Sequence, residues 1–377
     1  MKIEVARNDL EFSLNTTRTA VGNGTDITSH YLFRVHNNKV EVLSQNLRVF
    51  SGAPIICTFE GEEGDAFTVE SWRLDKWLSG ASDGVLTLTY NGGGDVQAKS
   101  GRSSIRLRSL DPSKFPFWDK LMSTATTVGN IAPEKITRAL NLTKNFVSTD
   151  DTLKPELCQV ESIDGTFWAT DRKGVCSAKV PMGDLNIRIP AKDITPVTKF
   201  LGNEDSVEVL TSTREDDSGS CVLFKKETGH YLGVTKPVTQ FPTLALDPDK
   251  VPDCTVSLDM DELTAGLAVL SASAPKGHES VTFRWDSENQ KVVLSMPSVA
   301  GGNDEYPLSL AGLTVHSKEF ETFTIDYPYL KGIVNAFGLD KIDLGVNSMG
   351  RAGFTSFKYE EEVEEGNSYY AVIVWRT

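Results

Sequence analysis

The chain has only five cysteines and five histidines in 377 residues, and its 38 Lys and Arg are outnumbered by 52 Asp and Glu, for a formal net charge of −14. Each shortage excludes something. No apolar run approaches the roughly 18 residues that span a bilayer. The opening Met1-Lys2-Ile3-Glu4-Val5 alternates like a strand and lacks the apolar stretch of a signal peptide. A soluble, cytoplasmic protein with no membrane partner is the expectation, and the Asn-x-Thr triplets at Asn15, Asn23 and Asn141 are read as chance. Cys57, Cys158, Cys176, Cys221 and Cys254 are odd in number and widely spaced, which indicates reduced, inert thiols. His30, His36, His230, His278 and His316 have no metal-ligand spacing. Nucleotide-binding, serine-hydrolase, zinc-protease and C-x-x-C motifs are all missing, so neither catalysis nor a cofactor is expected. A pI near 4.9 argues against nucleic-acid binding if net charge alone decides, because phosphate affinity comes from Lys and Arg.

The acidic clusters read blandly. "DMDE" at residues 259 to 262 suits a helix N-terminus, and "EEEVEE" at residues 360 to 365 a solvated loop. "NGGGD" at residues 91 to 95 looks like a phosphate cradle, but strand-like residues flank it on both sides, which makes it a hairpin turn.

What the chain does have is repetition. Phe115-Pro116 and Phe241-Pro242 each close an alternating segment and lie 126 residues apart. A pattern of strand, short helix and Gly ends at Gly80, Gly202 and Gly338, with "FTVESWRLDKWLSG", "IRIPAKDITPVTKFLG" and "FTIDYPYLKGIVNAFG" as the three copies. Amphipathic segments near the start of each third place Leu10, Ile136 and Leu263 at matching positions, 126 and 127 apart. The chain therefore reads as three diverged copies of one unit, covering residues 1–121, 122–248 and 249–377.

Within each copy two short helices punctuate strand-like sequence, an α+β pattern. Leu74, Trp77 and Leu78 form one apolar stripe, with Arg73 and Lys76 off it; the following Gly is expected to end the helix in a left-handed conformation. Ile194, Val197 and Leu201 do the same in the second copy, leaving Lys192 and Lys199 outside, and Leu330, Val334 and Phe337 in the third, leaving Lys331 outside. Pro190, Pro196 and Pro328 suit helix entrances.

Three stretches carry a resemblance. "QAKSGRSSIRLRSLDPSKFP" (97 to 116), "NFVSTDDTLKPELCQVESIDGTFWATDRKGVCSAKVP" (145 to 181) and "FTIDYPYLKGIVNAFGLDKIDLGV" with the terminal "YYAVIVWRT" resemble, in order, the three domains of bacterial DNA polymerase III β sliding clamps. The likeness implies a DNA-clamp fold: three modules, each with two β-sheets and two short helices, and two subunits closing into a six-domain ring around duplex DNA. It implies a processivity factor that is not an enzyme, bound topologically and independently of sequence. It also implies a DNA polymerase and an ATP-dependent clamp loader as partners, in a bacterial or phage-infected cell. Enclosure resolves the charge paradox, since only the lining must be basic.

For this sequence the resemblance implies Arg18, Arg73, Lys76, Arg138, Lys144, Lys192, Lys199, Lys276 and Lys331 as DNA-facing bases. It places Arg102, Ile105, Arg106 and Leu107 at a dimer interface, against Val269, Leu270, Asp304 and Glu305 of the other copy. A hydrophobic pocket for partner peptides is implied at Leu157, Thr170, Arg172, Lys173, Gly174, Val175, Pro242, Leu246, Val372, Val374, Trp375 and Arg376. Here Arg172-Lys173-Gly174-Val175 replaces the family's Gly-His-Arg-Leu, and Trp375 stands where Pro-Met is common, so a different peptide preference is expected. Two rivals remain: a clamp-fold peptide-binding scaffold or regulator that does not encircle DNA, and a β-rich hydrolase or carbohydrate-binding protein.

Overall fold

The computed structural model describes residues 1–82, 84–150, 152, 154–180, 186–202, 206–212, 220–236, 239, 241–242, 252–276, 280–309, 312–337, 340–349, 352–360 and 368–376, with the backbone alone over 336–337, 348–349, 352–360 and 368–376. It contains two compact units: Met1–Glu134 with Lys192–Val238, and Lys135–Ala191 with Thr239–Thr377.

The first unit holds two antiparallel sheets. One runs, in spatial order, Cys57–Glu60, Lys2–Ala6, Val85–Tyr90, Asp95–Ser100 and Ser103–Arg108. "NGGGD" turns the hairpin between its third and fourth strands, with Gly92 at φ +83 and Gly94 at φ +85, where a side chain would be strained. The other sheet has eight strands: Thr126–Ile131, Val207–Ser212, Cys221–Lys225, Tyr231–Thr235, Val49–Ile55, Lys39–Gln45, His30–His36 and Ala66–Glu70. Its two halves meet where Val49–Ile55 pairs with Tyr231–Thr235.

The second unit repeats the plan. Nine strands run Arg188–Pro190, Gln159–Ile163, Thr166–Thr170, Gly174–Lys179, Ser368–Arg376, Ala352–Glu360, Lys341–Met349, Cys254–Asp259 and Gly312–Val315, and four run Asn303–Leu308, Lys291–Pro297, Ser280–Asp286 and Thr322–Asp326. Here the halves meet at Gly174–Lys179 and Ser368–Arg376. Strands such as Asp95–Ser100 alternate buried and exposed residues, the period expected of a strand covered on one face, whereas His30–His36 is buried nearly throughout.

The helices described are α1 (Arg7–Thr17), α2 (Ser71–Gly80), α3 (Asp119–Ser123), α4 (Pro133–Thr143), α5 (Ile194–Leu201), α6 (Met260–Ser273) and α7 (Tyr327–Phe337). Leu10, Ile136 and Leu263, matched by the repeat, are all buried, on α1, α4 and α6. Leu74 and Leu78 of α2, Ile194, Val197 and Leu201 of α5, and Leu330 and Val334 of α7 form the buried faces the periodicity predicts; the Phe337 side chain lies outside the description. Pro196 and Pro328 sit in the first turns of α5 and α7. Asp259 caps α6, its Oδ1 accepting the Glu262 N–H at 2.9 Å, as "DMDE" suggests. Gly202 ends α5 at φ +58, but Gly80 is the last helical residue of α2 and the cap is Ala81, so the left-handed glycine stop fails there.

The five cysteines are free thiols. Burial pushes the Cys57 and Cys254 thiols up to about 11, which keeps them protonated and poorly nucleophilic. The predicted border at Leu121 falls in α3, a short helix with Leu121 itself buried; Pro248 lies outside the described residues.

Candidate functional site

Three sets of residues carry the predicted chemistry. The first is the helix-borne bases. In the first unit Arg18 follows α1 and donates from Nε and Nη2 to the two carboxylate oxygens of Asp75 on α2, both at 2.9 Å. Arg73 donates to Glu70 at 2.5 Å, while Lys76 is exposed. The turn Arg18–Ala20 packs against α5, which exposes Lys199, and Lys192 is exposed just before it. In the second unit Lys144 reaches Asn141 Oδ1 at 2.8 Å and its turn packs on α7, where the exposed Lys331 lies over the Tyr327 ring at 5.5 Å. Arg138 is half-buried on α4, and Lys276 is exposed beyond α6, which has no Lys or Arg of its own. The bases are thus spread along the helices, and Arg18 and Arg73 are held by carboxylates.

The second set lies on sheet edges. Among the described residues, Ser103–Arg108 has a neighbour on one side only, as does Asn303–Leu308 in the second unit. Arg106 is exposed on the first edge, and Arg102 in the turn that leads into it. Glu305 is exposed on the second, 3.4 Å from Arg284, and Asp304 is half-buried there. The apolar members of the predicted interface divide. Leu107 and Leu270 are buried in the cores of their own units, and Ile105 packs against the same core as Leu107; Val269 alone is widely exposed, at 59%. Ile105 and Leu107 are two apart on a strand and so share its core-facing side, which corrects the expectation that Leu107 and Leu270 are free for another chain.

The third set surrounds the turn Asp171-Arg172-Lys173-Gly174. Asp171 Oδ1 accepts the N–H groups of Lys173 and Gly174 at 2.8 and 2.9 Å, and Thr170 Oγ1 donates to the Gly174 carbonyl at 2.7 Å, which closes the turn with Arg172 at φ +78. Tyr329 of α7 donates its hydroxyl to Asp171 Oδ2. Burial, then this hydrogen bond to a carboxylate, raises the Tyr329 phenol above its ordinary range. Leu157 and Thr170 are buried, whereas Val175 and Pro242 are half-buried. Arg172 pairs with Glu156 at 3.6 Å. Leu246 and the side chains of Val372, Val374, Trp375 and Arg376 fall outside the description, although the backbone places Val372 opposite Val175.

Beside this turn an open groove of about 850 Å³ is lined by Val147, Lys154, Asp171, Lys173, Asp326 and Tyr329, among others. Among the described residues predicted for the pocket, only Lys173 lines it. Lys154, Asp326, Pro328 and Tyr329 were missed: "FTIDYPYLKG" was read for its repeat and its resemblance and not for a site, and an aromatic residue in the first turn of an amphipathic helix, off its buried stripe, was the available signal for Tyr329. Among the described residues no group of His, Cys, Asp and Glu could hold a metal ion, and no helix is long and apolar enough to cross a membrane.

No family model and no curated protein matches the chain. Solved structures do. The DNA polymerase III subunit β of Pseudomonas aeruginosa matches with a TM-score of 0.81 at 15% identity, covering 100% of both chains. The DNA polymerase sliding clamp of Bacillus subtilis matches with a TM-score of 0.82 at 16% identity, covering 100% of this chain and 99% of the other. The β subunit of Thermotoga maritima gives 0.79 at 15%, with the same coverage. Over its whole length, this chain has the fold of the bacterial DNA polymerase III β subunits, the sliding-clamp fold.

Proposed function

We propose that the chain is a DNA sliding clamp: a processivity factor whose two copies close into a ring around duplex DNA and tether a polymerase. In this reading residues 1–121, 122–248 and 249–377 are the three modules of each half-ring. The observation that carries the proposal is the pair of one-sided sheet edges, one bearing Arg106, with Arg102 in the turn that leads into it, and the other Asp304 and Glu305, on a chain that covers known clamps end to end. Opposite charge on two exposed strand edges favours their pairing, and pairing removes the hazard each edge poses alone. Ile105 and the exposed Val269 would add the apolar contact.

The ring needs little affinity for its track. Each of Arg18, Arg73, Lys76, Arg138, Lys144, Lys192, Lys199, Lys276 and Lys331 would contribute about 1 kcal/mol or less to phosphate contact in water. Pairing of Arg18 with Asp75 and of Arg73 with Glu70 weakens that contact further, which suits movement. Opening falls to a separate ATP-dependent loader. Partner peptides bind beside the Asp171–Gly174 turn, in a groove more polar than an apolar pocket would be, and the chain acts in the cytoplasm of a bacterial or phage-infected cell.

The test is retention on circular DNA. Loaded on a nicked circle by its cognate loader, the protein should stay bound and be lost when the circle is cut. Retention on the linear product would show an ordinary binder. The lack of any Lys or Arg on α6 favours a second reading, a peptide-binding scaffold that never encircles DNA; that chain would not be held on the uncut circle. Titration with a generic bacterial clamp-binding peptide tests the groove, and submicromolar binding abolished by Trp375→Ala would refute a divergent preference.

A further inference from the structure

The first turn of α2 carries Trp72, whose side chain is 53% exposed. It lies off the buried stripe of Leu74 and Leu78, so packing does not require it there. Glu70 organises its surroundings. One carboxylate oxygen accepts the indole Nε1–H at 2.5 Å, and the other accepts Arg73 Nε–H at 2.5 Å. The Arg73 guanidinium is thereby held over the indole, 4.7 Å from its centroid. Lys76, four residues along the helix from Trp72, is exposed on the neighbouring turn.

This arrangement restricts what can bind. The indole N–H is already donated, so the ring has no hydrogen bond left to offer a ligand. What remains is exposed π surface, polarised by a fixed cation, with the exposed Lys76 within a helical turn. Flat aromatic rings strung on an anionic backbone satisfy both features together. Base faces are hidden inside a duplex and accessible only in a single strand.

We propose that Trp72, backed by Arg73 and flanked by Lys76, is a stacking site for the unpaired bases of single-stranded nucleic acid. The site goes beyond enclosure of duplex: it gives the chain a weak, sequence-independent grip on single strands that does not depend on ring closure. An anionic peptide would use the two cations and leave the ring idle.

Fluorescence anisotropy of a labelled oligothymidylate of about 20 nucleotides, at low salt, tests it against an abasic strand of equal length and a blunt duplex. Thymidylate should bind more tightly than both. Trp72→Ala should weaken thymidylate binding about tenfold and leave abasic binding unchanged, and Trp72→Phe should restore most of it. Lys76→Ala should flatten the slope of log affinity against log salt by about 0.7. Equal binding of thymidylate and abasic strands, an unchanged affinity in Trp72→Ala, or full displacement by polyglutamate of matched charge would each overturn the proposal. Release of the ring from cut DNA is unaffected by any of these outcomes, so the two readings fail separately.

Discussion

The two long sheets are each stitched from two runs of strands, by different means. In the second unit the seam is a ladder of six register pairs between Gly174–Lys179 and Ser368–Arg376. In the first it has only four, between Val49–Ile55 and Tyr231–Thr235, and side chains supply the rest. Gly52 lies opposite Tyr231 and Gly233 opposite Phe50, so each ring lies across the bare backbone of the facing strand. A Cβ on Gly233 would stand 2.0 Å from Phe50 Cζ, and one on Gly52 2.3 Å from Tyr231 Cζ. Trp118 then stacks on Phe50 at 4.5 Å, and Arg34 ties Asp119 at 2.6 Å and Glu41 at 3.1 Å. A short ladder holds where reciprocal aromatic-on-glycine contacts and a strapped helix close it.

The most damaging way to break that seam is Gly233→Val. It should destabilise the first unit by about 3 kcal/mol or more through overpacking, read as a lowered urea midpoint. An unchanged midpoint would mean that the rings do not set the approach of the strands. Arg34→Met comes next, at about 2 kcal/mol, because Arg34 is nearly buried while Asp119 is half exposed and can rehydrate. This contribution depends on pH. The hydrogen bond from Arg34 holds the Asp119 carboxyl below its ordinary value of 3.8, so the unfolded chain binds the proton more tightly. The stabilisation should be complete above that value and fade as pH falls through the depressed one, and the wild-type and Arg34→Met unfolding curves should converge in acid.

The seam proposed between copies has no tether and should be weaker still. Arg106→Glu puts like charge opposite Asp304 and Glu305, and sedimentation should show the dimer weakened about fivefold, near 1 kcal/mol for an exposed charge. Smallest is Asp193→Asn. Burial raises the Asp193 carboxyl above 3.8 against the pull of Arg48, 3.5 Å away, and its Oδ2 has no hydrogen-bond partner among the described residues. Folded protein then binds that proton more tightly than unfolded, so ionisation is destabilising at neutral pH. The Asn variant should melt slightly higher at pH 7, with the gain gone below the ordinary carboxylate value.

Much of the design of both units was legible. Leu10, Ile136 and Leu263 announced buried helical faces because burial imposes a period, and the strand-like residues on both sides of "NGGGD" announced a hairpin, in which Gly92 and Gly94 take the positive φ values. The parts that escaped depend on contacts distant in sequence. Helix α3 has five residues, too few for a period, and exists because Trp118 and Leu121 have a sheet to pack on. Tyr329 reaches Asp171 across 158 positions, which no local pattern encodes. The inward turn of Leu107 was legible from alternation, but a strand with one apolar face does not say which body that face will cover.

The aromatic-on-glycine seam also sets a timetable. Ser51 donates its hydroxyl to the carbonyl of Tyr231, made 180 residues later. At bacterial-to-eukaryotic elongation speeds the ribosome needs about 10 to 35 seconds to deliver that partner. Until then every nascent chain carries an open, glycine-bearing strand, and production of the folded protein depends on keeping neighbouring nascent chains on the same message from pairing there first.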